Sequence, residues 1–179
     1  MTGVCARLPR SMKQGRSPSA LCFAGLVACV ASLVGCDHAT KIAAESALRD
    51  RPPLQLVRGM VDLSYTENRD VAFDAMARLS LHPASWVLVA FAIATTAAVI
   101  GFWVRRRRAA WPEHAGFACV VAGAVGNIVD RAARGHVIDF IHVRFWPVFN
   151  VADVLVVVGV GLLVWAAASA RDRIDPPLA

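Results

Sequence analysis

Apolar residues in this chain gather into four blocks. They run from about Leu21 to Cys36, Ala84 to Val104, Ala115 to Val129 and Val151 to Ser169. A helix needs roughly 20 mostly apolar residues to cross a bilayer core. The second and fourth blocks meet that length. The first and third reach it only if their helices continue through polar residues, Asp37 to Lys41 in one and Asn127 to Arg131 in the other. The expected fold class is an all-α membrane protein with four transmembrane helices. Gly123, Gly126, Gly159 and Gly161 are read as close-packing positions between them.

A different pattern lies between the first two blocks. The run Leu54-Gln-Leu-Val-Arg-Gly-Met-Val-Asp-Leu-Ser-Tyr-Thr66 alternates as strands do, Pro52 and Pro53 bar a helix before it, and Gly59 marks a turn. This predicts a small extracytoplasmic β-like subdomain between helices 1 and 2, lying on the membrane. The organisation is then a basic cytoplasmic tail over residues 1–20, a four-span domain over 21–170 with an insert at 42–83, and a second cytoplasmic tail over 171–179.

Composition agrees with the blocks: 57% of the 179 residues are hydrophobic and the mean hydropathy is +0.53. The formal charge of +6 does not point to nucleic acid, because the basic residues flank apolar blocks. Arg7, Arg10, Lys13 and Arg16 precede the first, Arg105 to Arg108 follow the second, and Arg171 and Arg173 follow the last. Cytoplasmic flanks carry this excess. Both termini and the 105–113 loop are therefore placed in the cytoplasm, and residues 37–83 and 131–150 outside a bacterial inner membrane. The cysteines (5, 22, 29, 36 and 119) form no C-x-x-C pair and lie mostly in apolar blocks, so neither metal nor disulfide is inferred. No cofactor is expected. No serine or cysteine stands in an activating motif with a histidine.

Two aspartates border apolar segments: Asp139 in His136-Val-Ile-Asp-Phe-Ile141 and Asp153 in Phe149-Asn-Val-Ala-Asp-Val154. Ionisable residues near the membrane are costly and by default mark function. Two carboxylates brought together cannot both ionise easily, and a pair sharing one proton is the working unit of an aspartic protease. Asn150 and Asp153 are spaced as N-cap and N3 of a helix, which favours charge on Asp153. Asp139 sits between Ile138 and Phe140, where desolvation favours the neutral acid. Asp37 and Lys41, at i and i+4, read as a structural pair, and Asp130-Arg131 as a second.

Five segments in order carry a family resemblance: Asp37-His-Ala-Thr-Lys41, Glu67-Asn-Arg-Asp-Val-Ala-Phe73, Ala122-Gly-Ala-Val-Gly-Asn-Ile-Val-Asp-Arg131, His136-Val-Ile-Asp-Phe-Ile141 and Phe149-Asn-Val-Ala-Asp153. Together they resemble the lipoprotein signal peptidase (signal peptidase II) family. That resemblance implies a membrane aspartic endopeptidase that removes signal peptides from prolipoproteins, cutting before the diacylglyceryl-cysteine. It makes Asp139 and Asp153 the catalytic pair, with no metal. It casts Asn68 and Arg131 as substrate contacts, and Asn127, Asp130 and Asn150 as positioning groups. Diacylglyceryl-modified prolipoproteins and membrane lipids are the implied partners, and a monomer working at the outer face is expected. The alternatives are a specialised or non-catalytic four-helix paralogue, and a lipoprotein acylated at Cys36, for which Leu33-Val-Gly-Cys36 would be the lipobox.

The chain departs from the family pattern in places. Asp70 stands where the family's loop carries glycine, Ala122 replaces the first of a glycine pair, and Val154 replaces a hydroxyl residue after the second aspartate. None of these removes a carboxylate.

Overall fold

The computed structural model describes residues 20–69, 85–106 and 109–171. The basic tail, the segment beyond Arg171, and Asp70 with the rest of its loop to Ala84 lie outside the described residues. The first helix, α1, covers Ala20–Leu48, and strands β1 (Leu54–Val57) and β2 (Val61–Asn68) follow. Next come α2 (Ser85–Arg105), α3 (Trp111–Arg134), β3 (Val137–Val143), β4 (Trp146–Phe149) and α4 (Val151–Arg171). Segments of all four helices are long and apolar enough to cross a membrane.

The two short apolar blocks are extended as their polar continuations predict. α1 passes without a break through Cys36, Asp37 and Lys41 to Leu48, and α3 passes through Asn127 and Asp130 to Arg134. Pro112 opens α3, where its missing N–H costs nothing. Gly135 closes it in the left-handed region, at φ 77°, donating its N–H to the Arg131 carbonyl at 3.1 Å.

α3 is the central helix, packing against α1, α2 and α4. Its apposition to α4 depends on small residues. A Cβ on Gly123 would collide with the Ala152 carbonyl oxygen, and one on Gly159 would meet the Gly116 carbonyl oxygen at 2.7 Å. Gly116 thus joins the packing set, whereas Gly161, expected there too, has nothing within 4 Å of a would-be Cβ. Ala122 is itself fully buried, so the extra methyl is accommodated. Outward faces carry large apolar side chains such as Phe91, Val157, Val164 and Trp165, which suit lipid.

The strands form one antiparallel sheet in the order β1-β2-β3-β4. The β1–β2 hairpin turns at Gly59, whose φ is +70°, as its sequence requires. The sheet is larger than the alternation between helices 1 and 2 predicts. β3 and β4, from the connection between the last two helices, supply half its strands and carry Asp139. Residues Val137 to Phe140 are buried without interruption, so the period-2 signal of a half-exposed strand is missing there. Ala44 and Leu48 of α1 pack with Phe140, with Leu63, Tyr65, Ile141 and Val151 around them. That small core fastens the sheet to the end of the bundle.

Candidate active site

The site lies where β2, β3, the start of α4 and the C-terminal third of α3 converge. β3 supplies Asp139, which is only 2% exposed. Antiparallel register sets Asn68, at the end of β2, opposite Val137, one strand repeat from Asp139. The Asn68 amide Nδ2 donates to Asp139 Oδ2 at 2.8 Å. Asn150, fully buried just before α4, donates from Nδ2 to the other oxygen, Asp139 Oδ1, at 2.6 Å.

Asn150 also holds the second carboxylate. Its side-chain Oδ1 accepts from the Asp153 backbone N–H at 3.1 Å, and its own backbone N–H donates to Asp153 Oδ2 at 3.2 Å. This is a reciprocal cap of the helix start, as the N-cap and N3 spacing predicts. The remaining Asp153 oxygen, Oδ1, accepts from Asn127 Nδ2 at 2.9 Å. One asparagine therefore touches both carboxylates and a second steadies Asp153 from α3.

Burial pushes the Asp139 carboxyl from its ordinary 3.8 up to about 6. The hydrogen bond from Asn68 opposes that rise, the Asp153 charge adds to it, and Asn150 and Lys41 work against it. The acid is thus poised to carry a proton in mildly acidic water.

Behind the pair lies a buried ionic cluster. Asp37, Lys41 and Asp130 are each fully buried. The Lys41 ammonium is 2.7 Å from Asp37 Oδ2 and 2.7 Å from Asp130 Oδ2, so it spans α1 and α3 as well as pairing within its own helix. Asp130 also faces Arg134 at 3.8 Å and His38 at 4.0 Å. Removing one partner of a buried pair strands the other charge, so the cluster is costly to break. Asp37 Oδ1 reaches further, accepting the backbone N–H of Ala152 in the first turn of α4 at 2.8 Å. Gly126 makes room for this carboxylate: a Cβ there would meet Asp37 Oδ2 at 2.5 Å.

All nine residues singled out in the sequence fall at or next to this convergence. Arg131 lies within electrostatic reach of Asp139, Asp153 and Asp130. Asn68, read as a substrate contact, already bonds Asp139 directly. Val154 is on an exposed part of α4. What the motif reading missed is a peripheral clamp on β2. Glu67 meets Arg49 at 3.2 Å and Arg69 at 3.1 Å, faces His136 at 3.8 Å, and accepts from the Tyr65 hydroxyl at 3.2 Å. Arg134 reaches Glu45 at 2.6 Å. Adjacency of Glu67 to Asn68 is the available signal; Tyr65 and Arg69 lie two residues away, but Arg49 and His136 are distant in sequence. Among the described residues, no group of three histidine, cysteine, aspartate or glutamate side chains is placed to hold a metal ion. Cys29, Cys36 and Cys119 are free thiols.

Comparison with known proteins bears on this arrangement. The family model described as signal peptidase (SPase) II matches residues 29–169. A lipoprotein signal peptidase of Xanthomonas axonopodis pv. citri (strain 306) is 32% identical over 171 residues, covering 92% of this chain and 96% of that protein. One from Mycobacterium avium (strain 104) is 36% identical over 146 residues, covering 78% of this chain and 76% of its own. In fold, the chain is similar to a bacterial membrane enzyme solved by the in meso method at 2.3 Å resolution. That likeness has a TM-score of 0.74 at 19% identity and covers 87% of this chain and 94% of that one.

Proposed function

From its place in the signal peptidase II family, to which this chain belongs, we infer that it removes signal peptides from prolipoproteins as a membrane aspartic endopeptidase. The observation that carries the catalytic assignment is the double role of Asn150, bound to Asp139 Oδ1 at 2.6 Å and to Asp153 Oδ2 at 3.2 Å. Such a shared tether keeps two carboxylates at one place, where a water and a peptide carbonyl can lie between them.

In the reactive form of the dyad Asp139 holds the proton and Asp153, in the first turn of α4, acts as the base. Asp153 takes a proton from water as the oxygen attacks the scissile carbonyl carbon. Asp139 hydrogen-bonds the carbonyl oxygen and stabilises the developing negative charge. As the tetrahedral intermediate collapses, the C–N bond breaks. A carboxyl proton passes to the leaving amine of the diacylglyceryl-cysteine, and the signal peptide departs as a carboxylic acid. Protons balance: water supplies one to the amine and leaves its oxygen on the new carboxyl.

Support for the raised proton affinity of Asp139 comes from its burial and from the facing Asp153 charge. Arg131 and Asn68 contact the substrate backbone or its lipid-bearing cysteine in this reading, and Asn127, Asp130, Asp37 and Lys41 support the pair. The substrate's diacylglyceryl group and signal helix are both membrane-borne, so approach is through the bilayer. The basic flanks support cytoplasmic termini, an active site at the outer face of the inner membrane, and the four-span domain of residues 21–170 with its 42–83 insert. A monomer suffices, since both carboxylates come from one chain.

The experiment is incubation of the purified full chain with a diacylglyceryl-modified prolipoprotein, beside Asp139→Asn and Asp153→Asn. Cleavage before the lipidated cysteine by the unsubstituted chain alone is the expected result. Cleavage that survives both substitutions refutes the dyad.

A further inference from the structure

The ionic cluster behind the dyad has a consequence for hydrogen-bond polarity. Lys41 Nζ lies 3.0 Å from Asn127 Oδ1, and Asn127 Nδ2 lies 2.9 Å from Asp153 Oδ1. An ammonium has donors only, whereas a carboxamide has an accepting end and a donating end. Facing Lys41, Asn127 must therefore present its oxygen, and its NH2 is left to point at Asp153. Asp37 and Asp130, each 2.7 Å from Nζ, hold the ammonium in a place with no exposure to water.

The same oxygen extends the ordering. Asn127 Oδ1 also accepts from Asn150 Nδ2 at 3.2 Å, and that NH2 bonds Asp139 Oδ1 at 2.6 Å. With its NH2 drawn this way, Asn150 turns its own oxygen to the Asp153 backbone N–H. Two amides that are each symmetric in shape thus have one orientation, set at one end by the Lys41 cation facing Asn127 and at the other by the Asp153 backbone N–H facing Asn150. A flipped Asn127 would set its carbonyl oxygen against an Asp153 oxygen, acceptor on acceptor, and would turn its NH2 toward a cation.

We propose that Lys41 is a positioning residue of the reaction, fixing the amide polarity of Asn127 so that Asp153 meets a donor rather than an acceptor. The inference rests on the peptidase reading above. It goes beyond a structural pair of Asp37 with Lys41, because Lys41 also donates to Asn127 Oδ1, a contact that joining two helices does not require.

The test is a double-mutant cycle on the full chain in detergent, cleaving a diacylglyceryl-modified prolipoprotein. Lys41→Met combined with Asp37→Asn removes one charge of each sign and keeps an oxygen for the Ala152 N–H. The expected loss in kcat is on the order of 10- to 100-fold, the worth of a hydrogen bond to a charged group, with KM little changed. In an Asn127→Ala background the same replacement should change kcat less than about threefold, since no amide remains to orient. An equal loss in both backgrounds overturns the proposal. If the paired replacement fails to fold, Lys41→Gln makes the same comparison, because a glutamine can accept as well as donate.

A second readout needs no activity. With asparagine labelled in its side-chain nitrogen, the Asn127 NH2 signal, identified by its loss in Asn127→Ala, should be slow to exchange in the unsubstituted chain. It should broaden or exchange rapidly when Lys41 is replaced. An unchanged signal refutes the inference. An unsubstituted chain that folds but does not cleave refutes the peptidase reading instead, and the amide signal still decides the role of Lys41.

Discussion

Replacing Asp139 by asparagine should stop the reaction and, above mildly acidic pH, make the protein more stable. Asp139 is held at about 6 against an ordinary 3.8, chiefly because β3 buries it. A carboxyl whose proton affinity rises on folding gives its full stability below the unfolded value, near pH 4. It loses stability as pH rises through about 6. A gap of about 2 pH units corresponds to about 3 kcal/mol lost by neutral pH. Asparagine cannot ionise and escapes that loss. Any fixed difference between the two side chains, such as a lost acceptor for Asn68 or Asn150, shifts both ends of the pH range alike. The quantity to measure is therefore the change with pH in the difference between the two unfolding midpoints.

The assay is thermal unfolding of the detergent-solubilised chain and of Asp139→Asn at several values between pH 4 and 8. For a domain of this size 1 kcal/mol moves the midpoint by about 2–4 °C. The substituted chain should gain about 6 °C or more on the original across that range, with most of the gain between pH 4 and 6.5. A difference that stays flat over this interval would show that Asp139 is not desolvated as described, and would remove the physical basis for assigning it the proton.

Three further outcomes follow from the same geometry. Asp139→Asn and Asp153→Asn should each lower kcat by at least about 10²- to 10⁴-fold, the usual worth of an acid–base group, in the prolipoprotein cleavage assay. Gly126→Ala places a methyl against Asp37 Oδ2 and should destabilise by about 1–3 kcal/mol in thermal unfolding, while Gly161→Ala, with open space around it, should cost far less. Asn150→Ala should cost about 1 kcal/mol as a lost helix cap, and its loss in kcat should exceed what that destabilisation explains, because the same side chain bonds Asp139.

Hydrophobic grouping alone determined that four helices are long and apolar enough to cross a bilayer, because span length is set by membrane thickness. Local rules likewise determined the Gly59 turn, the β1–β2 hairpin and the Asn150–Asp153 cap, since their partners lie within a few residues. The order of the motifs puts Asp139 and Asp153 forward as the pair through the family resemblance. Only the tertiary structure decided that Asp139 stands on a strand. A run buried on both faces has no alternation to read, and β3 is recognisable as a strand through its pairing with β2, about 75 residues earlier in the chain. Nor could sequence separation reveal that Lys41 serves Asp130 and Asn127 as well as Asp37, or that Asp37 accepts an N–H from α4. Local spacing favours the partner one turn away. Burial forces a charge to find every donor and acceptor within reach, and packing of α1, α3 and α4 determines which these are.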